Sequence, residues 1–362
     1  MLRPVSVFER LGGEFEEVVF AHDPPTGLRA IIAIHSTALG PALGGVRCFA
    51  FESGEAALTD VLRLARAMTY KASAAGLDLG GGKAVIIGDP RTVKTEALLR
   101  AYARFVDGLG GRYITAEDIG TSLADMDVIR EETRHVGGAS PAGGGSGDPS
   151  EMTAYGVFLA MRAAAEEAWG DGSLTGRRVA VQGVGKVGSA LVGHLVDDGA
   201  SVVVADVDAD AVARARRGDG VDVVDPASIL SADCDVFAPC AMGAVLNAGV
   251  IPAVRARVVC GAANNQLAGP DDARTLARSG ILYTPDYVAN AGGIINIFEE
   301  FHPDGYDVQR ARRSVERIQQ NVRRVFDAAR ESGVTPAEAA DALAETRVRS
   351  AADSRVGAPS LR

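Results

Sequence analysis

Lys71 and Lys83 are the residues whose surroundings point most directly to chemistry. Lys71 follows RLARAMTY at the close of a helical pattern, and Lys83 ends LDLGGGK just before the apolar run AVIIG. A site that strips water from a lysine favours its neutral amine, which can then take a proton near neutral pH. Gly80, Gly81 and Gly82 carry no side chains, so the backbone is expected to turn tightly there and let a ligand approach. Asp118, just past the strand-like GRYITA, is the candidate catalytic carboxylate. Each residue also has an ordinary structural reading. Lys71 could face a helix dipole, Asp118 could cap a helix, and GGGK could be a phosphate loop, although it lacks the GxxxxGK[ST] spacing. One site would account for all three together.

A second constellation lies mid-chain. Gly183, Gly185 and Gly188 form GxGxxG (with Val184, Lys186 and Val187 between them), set between the strand RRVAVQ and a helix starting near Lys186. The first glycine permits the turn, the second lets backbone approach a pyrophosphate, and the third lets helix pack on strand. The phosphates would rest on free N–H groups at the positive end of that helix. Asp206 closes the following strand, where an acid bonds the ribose hydroxyls and repels a 2′-phosphate. NAD is therefore expected rather than NADP.

These residues need a scaffold of two α/β domains. At 362 residues the chain exceeds one ordinary core, and its 47% hydrophobic and 23% charged residues are those of a globular protein. Strands are expected at 28–36, 83–89, 235–240, 257–261 and 281–286, and helices at 54–76, 92–109 and 151–169. Such alternation implies parallel sheet covered by helices. The Gly/Ser/Pro-rich stretch 137–150 reads as a loop or hinge. The expected division is a substrate and oligomerisation domain over 1–138, a hinge over 139–150 and a Rossmann domain over 151–334. C-terminal helices from about 335 would return to the first domain, opened by the capping signal Thr335-Pro336. The residues after Ala351 read as a polar tail. A net charge of −10 disfavours nucleic acid as a partner. No apolar run suits a bilayer and the N-terminus lacks a secretory pattern, so no membrane partner is expected. Cys48, Cys234, Cys240 and Cys260 show no metal or CxxC spacing, which fits free thiols in the cytoplasm and no bound metal.

LDLGGGKAVIIGDP (77–90) resembles the signature of the glutamate/leucine/phenylalanine/valine dehydrogenase family. Supporting motifs run the length of the chain: PALGGVR (41–47), AMTYK (67–71), TAEDIGT (115–121), SGDPSEMTAYGV (146–157), QGVGKVG (182–188), GAANNQLA (261–268) and PDYVANAGGIIN (285–296). The resemblance implies that Lys71 grips the substrate carboxylate, Lys83 is the base that activates water, and Asp118 shuttles a proton to and from the amine. It implies a Gly44-Gly45 turn lining the same site and Thr153 at the nicotinamide amide. Asn264 and Asn290 would hold cofactor and substrate in register. Cys240 and Ala241 would pass beside the nicotinamide ribose, with Cys240 a packed thiol rather than a nucleophile. The implied partners are an amino acid, its 2-oxo acid, ammonium and further copies of the chain.

Side-chain preference follows from four positions. The family's glutamate-specific members carry lysine where this chain has Leu43 and serine where it has Ile297. Leu43, Ile297, Ala116 and Ile294 would instead form an apolar pocket, in which a buried carboxylate would have no partner. Ala116 resembles the branched-chain pattern, and the two isoleucines narrow the pocket toward valine. One methylene discriminates by only ~1–3 kcal/mol, so leucine, isoleucine and valine are all expected substrates. A phenylalanine dehydrogenase of the same family, or an NAD-binding regulator without catalysis, are the alternatives.

Overall fold

The computed structural model describes residues 7–216 and 220–356. The chain divides into two compact units. The first takes in the chain to Asp148, Ile297–Asp307 and the chain from Ala344; the second is Pro149–Asn296 and Val308–Leu343.

The first unit is built on a five-stranded sheet. Its strands are β1 (Glu17–Asp23), β2 (Leu28–Ser36), β3 (Ala42–Phe49), β4 (Gly80–Ile87) and β5 (Tyr113–Glu117), in the order β1-β2-β4-β3-β5. β4, β3 and β5 run parallel, while β1 and β2 pair antiparallel at one edge. Helix α1 (Gly54–Ala74) covers one face, with Ala57, Leu58, Val61, Leu62 and Ala65 packing on Ile31, Ala33 and Val85. That spacing places one apolar stripe on the sheet, and the Ser53 hydroxyl caps the helix by accepting from the Ala56 N–H. Helices α2 (Glu96–Gly108) and α3 (Leu123–Arg130) pack on the opposite face around Tyr102, Tyr113, Met126 and Ile129.

Two sequence expectations are corrected here. The glycines of LDLGGGK do not form a turn: all three are extended residues of β4, and the strand begins at Gly80 rather than Lys83. They are needed because neighbouring backbone presses on the strand. A Cβ at Gly80 would sit 1.9 Å from the Ser36 carbonyl oxygen, and one at Gly81 would sit 2.0 Å from the Thr69 nitrogen of α1. Likewise Gly44 and Gly45 lie within β3 and not in a turn; a Cβ at Gly44 would fall 1.8 Å from the Gly82 carbonyl oxygen.

The second unit carries an all-parallel six-stranded sheet. Its strands are β6 (Arg178–Gln182), β7 (Ser201–Ala205), β8 (Val221–Val223), β9 (Val236–Pro239), β10 (Val258–Val259) and β11 (Leu282–Tyr283), ordered β11-β10-β9-β6-β7-β8. The order reverses between β6 and β9, the doubly wound arrangement whose carboxyl strand ends open on a ligand crevice. Helix α4 (Ser150–Trp169) packs against α5 (Lys186–Asp197) and against the long α6 (Val308–Ser332). The buried stripe of α6 includes Val315, Ile318 and Val322, and Ile318 meets α4 at Gly156, where a Cβ would lie 2.6 Å from its Cδ1. Helix α7 (Pro336–Val356) starts at the expected Thr335-Pro336 capping signal, and Glu338 completes a capping box: its carboxylate accepts from the Thr335 N–H at 2.9 Å and from its hydroxyl at 2.8 Å. It continues through Val356, so the helix extends past Ala351, where a polar tail was expected. Among the described residues, no helix is long and apolar enough to cross a membrane.

Candidate active site

Strand alternation sets the first-unit site. Register pairs Leu43 with Gly81 and Ile114, Gly45 with Ala116, and Arg47 with Val85. Paired residues of neighbouring strands share a face, so Leu43, Gly45, Arg47, Gly81, Lys83 and Ala116 all point toward α1. Asp118, one step past β5, joins them. The Lys83 Nζ donates to Asp118 Oδ2 at 2.9 Å, and the Lys83 residue is only 6% exposed. The same carboxylate oxygen accepts from the Arg47 Nε at 3.1 Å, while Arg47 Nη1 donates to Asp60 Oδ2 of α1 at 2.8 Å.

Electrostatics fix the charge state of the acid. Burial by itself would raise the Asp118 carboxyl, but the cations of Lys83 and Arg47 outweigh it and hold the group below its ordinary value. The Asp118 turn is rigid as well. Its N–H donates to the Thr121 hydroxyl at 2.9 Å, and that hydroxyl lies 2.9 Å from the Val46 carbonyl oxygen of β3.

Lys71 occupies the last turn of α1 and is half-buried. The helix end that carries it lies on the glycine-thinned strands: Thr69 abuts Gly81, and the Met68 Cγ is 3.3 Å from a Cβ position on Gly44. Leu43 and Ala116 are buried at 2% and 3% exposure, so the apolar side of the face is walled off from water. Ile297 also belongs to this unit and packs on Gly137, where a Cβ would meet its Cγ2 at 2.5 Å. Gly137 in turn donates to the Thr115 carbonyl oxygen at 2.8 Å.

The second unit carries the remaining predicted residues: Gly183, Asp206, Cys240 and Ala241 follow its carboxyl strand ends, while Thr153 and Ile294 lie in helices. Gly183 has φ +93°, and a Cβ on it would lie 2.8 Å from the Ala241 nitrogen, so the ends of β6 and β9 touch. A Cβ on Gly188 would lie 2.0 Å from the Gly183 carbonyl oxygen, the close packing expected of the third glycine. Gly185 is the N-cap of α5 and makes no side-chain cap bond; a Cβ there would meet nothing within 4 Å. Those features leave room for a pyrophosphate at the N-terminal end of α5, with Lys186 in its first turn. Asp206 accepts from the Val184 N–H at 2.7 Å and from the Asp208 N–H at 3.0 Å, so its carboxylate is already oriented at the end of β7.

Asn290 is buried at 2% exposure, and its Nδ2 donates to Asn264 Oδ1 at 2.9 Å and to the Ala262 carbonyl oxygen at 3.1 Å. Its own Oδ1 is buried and has no hydrogen-bond partner among the described residues, a group that a polar ligand would satisfy. Thr153 donates back to the Pro149 carbonyl oxygen at 2.9 Å, and Gly293 leaves room beside its hydroxyl, where a Cβ would come within 2.8 Å. Ile294 is buried in the helix Gly292–Phe298. Burial pushes the Cys240 thiol up to about 12, which removes it as a nucleophile at neutral pH. Among the described residues no group of His, Cys, Asp and Glu is arranged to hold a metal.

Sequence reasoning missed Arg47, Asp60 and Glu300. Arg47 was legible in principle, since a strand over PALGGVR would place it on the face of Leu43 and Gly45. Glu300 had no local signal. Its side chain is 1% exposed and accepts from the N–H groups of Gly138 at 3.0 Å and Ser146 at 2.8 Å, tying down part of the glycine-rich stretch.

The chain matches known proteins over most of its length. Residues 16–135 match the Glu/Leu/Phe/Val dehydrogenase dimerisation domain, and residues 144–218 and 204–355 match the Glutamate/Leucine/Phenylalanine/Valine dehydrogenase domain. The chain is 52% identical to leucine dehydrogenase of Geobacillus stearothermophilus over 335 residues, covering 92% of this chain and 91% of that protein. It is 50% identical to valine dehydrogenase of Streptomyces virginiae over 349 residues, 96% of this chain and 97% of the relative. The crystal structure of L-tryptophan dehydrogenase from Nostoc punctiforme superposes with a TM-score of 0.83 at 44% identity, covering 96% of this chain and 99% of that one. Two sheets with a lysine–aspartate pair on one and a glycine-rich nucleotide turn on the other, carried by a chain that matches over most of its length, make this protein a member of the glutamate/leucine/phenylalanine/valine dehydrogenase family, an amino-acid dehydrogenase.

Proposed function

We propose that the chain catalyses the reversible, NAD-dependent oxidative deamination of a branched-chain L-amino acid to its 2-oxo acid and ammonia. The observation that carries this reading is the buried Lys83–Asp118 pair, 2.9 Å apart, on the same sheet face as the apolar Leu43 and Ala116. Lys71 holds the substrate carboxylate and so fixes the reacting carbon. Asp118, anionic in the free protein, takes a proton from the substrate ammonium. NAD, when bound, supplies the hydride acceptor. Lys83 then directs water onto the resulting iminium carbon and steadies oxygen charge as it develops, while Asp118 returns a proton to the departing amine. Asn264 and Asn290 would help hold cofactor and substrate in register, and Thr153 would touch the nicotinamide amide when NAD is bound.

The first unit is the substrate domain and the second binds NAD. Asp206 favours NAD over NADP by repelling a 2′-phosphate. Leu43, Ala116 and Ile297 of the first unit are apolar and offer no partner to a side-chain carboxylate, which favours valine, leucine and isoleucine over glutamate. The enzyme works in the cytoplasm as a homo-oligomer, consistent with the match to a dimerisation domain.

A substrate panel tests this reading. Initial rates are measured for valine, leucine, isoleucine, phenylalanine, tryptophan and glutamate, each with NAD and with NADP. The highest kcat/KM is expected for a branched-chain substrate with NAD. An aromatic amino acid, or glutamate, as the best substrate would contradict the proposed pocket.

A further inference from the structure

Asp118 is held by more than its lysine. Arg47 reaches it from β3, Lys83 from β4, and both donate to the same oxygen, at 3.1 Å and 2.9 Å. Arg47 is itself tethered at its far end to Asp60 of α1 at 2.8 Å, and Asp60 also takes Arg63 Nη2 at 3.0 Å. The Ile119 backbone N–H adds to the lowering of the Asp118 carboxyl. From β5, Tyr113 donates its hydroxyl to the Gly44 carbonyl oxygen at 2.5 Å, and its burial keeps it neutral. The side chains of Arg47 and Asp60 are 17% and 18% exposed, so their charges are poorly screened.

We propose that Arg47 is a positioning residue for the reaction, a fixed cation tethered by Asp60 that aims the Asp118 carboxylate at the site and governs when the Asp118–Lys83 pair binds a proton. The proposal rests on the roles given above to Lys83 and Asp118. Two physical points support it. A guanidinium does not lose its proton in a protein, so it contributes a constant charge while lysine and aspartate exchange theirs. Its planar fork also spans two carboxylates at once, which a lysine ammonium cannot do with the same geometry. With both donors on Oδ2, the carboxylate cannot rotate freely as its proton comes and goes.

A role confined to packing β3 against α1 predicts lower activity or stability, but no change in pH dependence. The test is the pH profile of kcat/KM for oxidation of the best amino-acid substrate, measured on the full-length protein and its R47M, R47K and D60N variants, with thermal midpoints alongside. Removing a fixed cation makes the coupled pair hold protons more tightly. R47M is therefore expected to move the acid limb upward by about one pH unit or more. R47K should bring the limb back toward the parent while kcat stays depressed, because the ammonium cannot bridge both acids. D60N keeps the cation but frees it, so kcat should fall with no upward movement of the limb.

An R47M profile lowered evenly at every pH, or one identical to the parent, would overturn the proposal. If R47M does not fold, parental kcat and limb in both R47K and D60N would overturn it. Failure of the underlying reading has a separate signature: a parent protein that oxidises no amino acid, or a Lys83→Ala protein that retains the parent rate.

Discussion

The two sheets prepare their ligand faces by opposite means. In the first unit, glycines at 44, 45, 80, 81 and 82 remove side chains so that backbone and helix α1 can press against the strands, and the charged groups Lys83, Asp118 and Arg47 stand on the face thus exposed. In the second, the strand ends present backbone. Gly183 and Gly185 shape a turn at the start of α5, and the polar side chains Asp206 and Asn290 are oriented by hydrogen bonds rather than ion pairs. Chemistry that moves protons calls for titratable groups in a dry setting, whereas holding an anion calls for N–H groups and open space.

The largest expected effect separates the faces by function. Lys83→Ala should lower kcat by about 10²–10⁴-fold, the usual contribution of a positioned acid or base, while leaving NAD affinity unchanged. A paired weakening of NAD binding would blur the division. Next come the glycines themselves. Gly81→Ala drives a methyl into the Thr69 backbone and should cost ~1–3 kcal/mol or more of stability, read from denaturant midpoints. Gly185→Ala meets nothing within 4 Å in the protein and should leave the midpoint unchanged while raising KM for NAD. The reverse pattern would mean that the two sets of glycines have been assigned the wrong purposes. Ala116→Gly should improve phenylalanine relative to leucine by about 10–200-fold at most, since one such group is worth ~1–3 kcal/mol.

The smallest effect concerns pH. Asp118 titrates below its ordinary value of 3.8 in the folded protein, so its contribution to stability is present above that value and is lost as pH falls through the lowered one. An Asp118→Asn variant should therefore show a flatter thermal midpoint against pH below about 4 than the parent. An unchanged slope would mean that the acid is not held by its cations.

The same contrast governs what could be read in advance. The nucleotide face was legible because its meaning lies in contiguous residues: a strand, Gly183, Gly185 and Gly188, a helix, then a strand ending at Asp206. The first-unit face was legible only in part. Lys83 and Asp118 were marked by their neighbours, but GGGK was taken for a turn because three glycines usually break a strand. What keeps them extended is pressure from Ser36 and Thr69, a tertiary cause absent from local sequence. Reading Gly44-Gly45 as a turn hid β3, and with it Arg47, whose place beside Asp118 depends on the register of three strands. Glu300 lies still further from local reasoning, since its partners Gly138 and Ser146 are distant in the chain.

A double-mutant cycle tests the central claim most directly, by measuring kcat/KM for the best substrate in the parent, K83A, D118N and the combined variant. If the two side chains form one proton-handling unit, the combined loss will be well below the product of the single losses, because the first substitution already disables the pair. Fully multiplicative losses would show that Lys83 and Asp118 act independently, and the account built on their contact would be wrong.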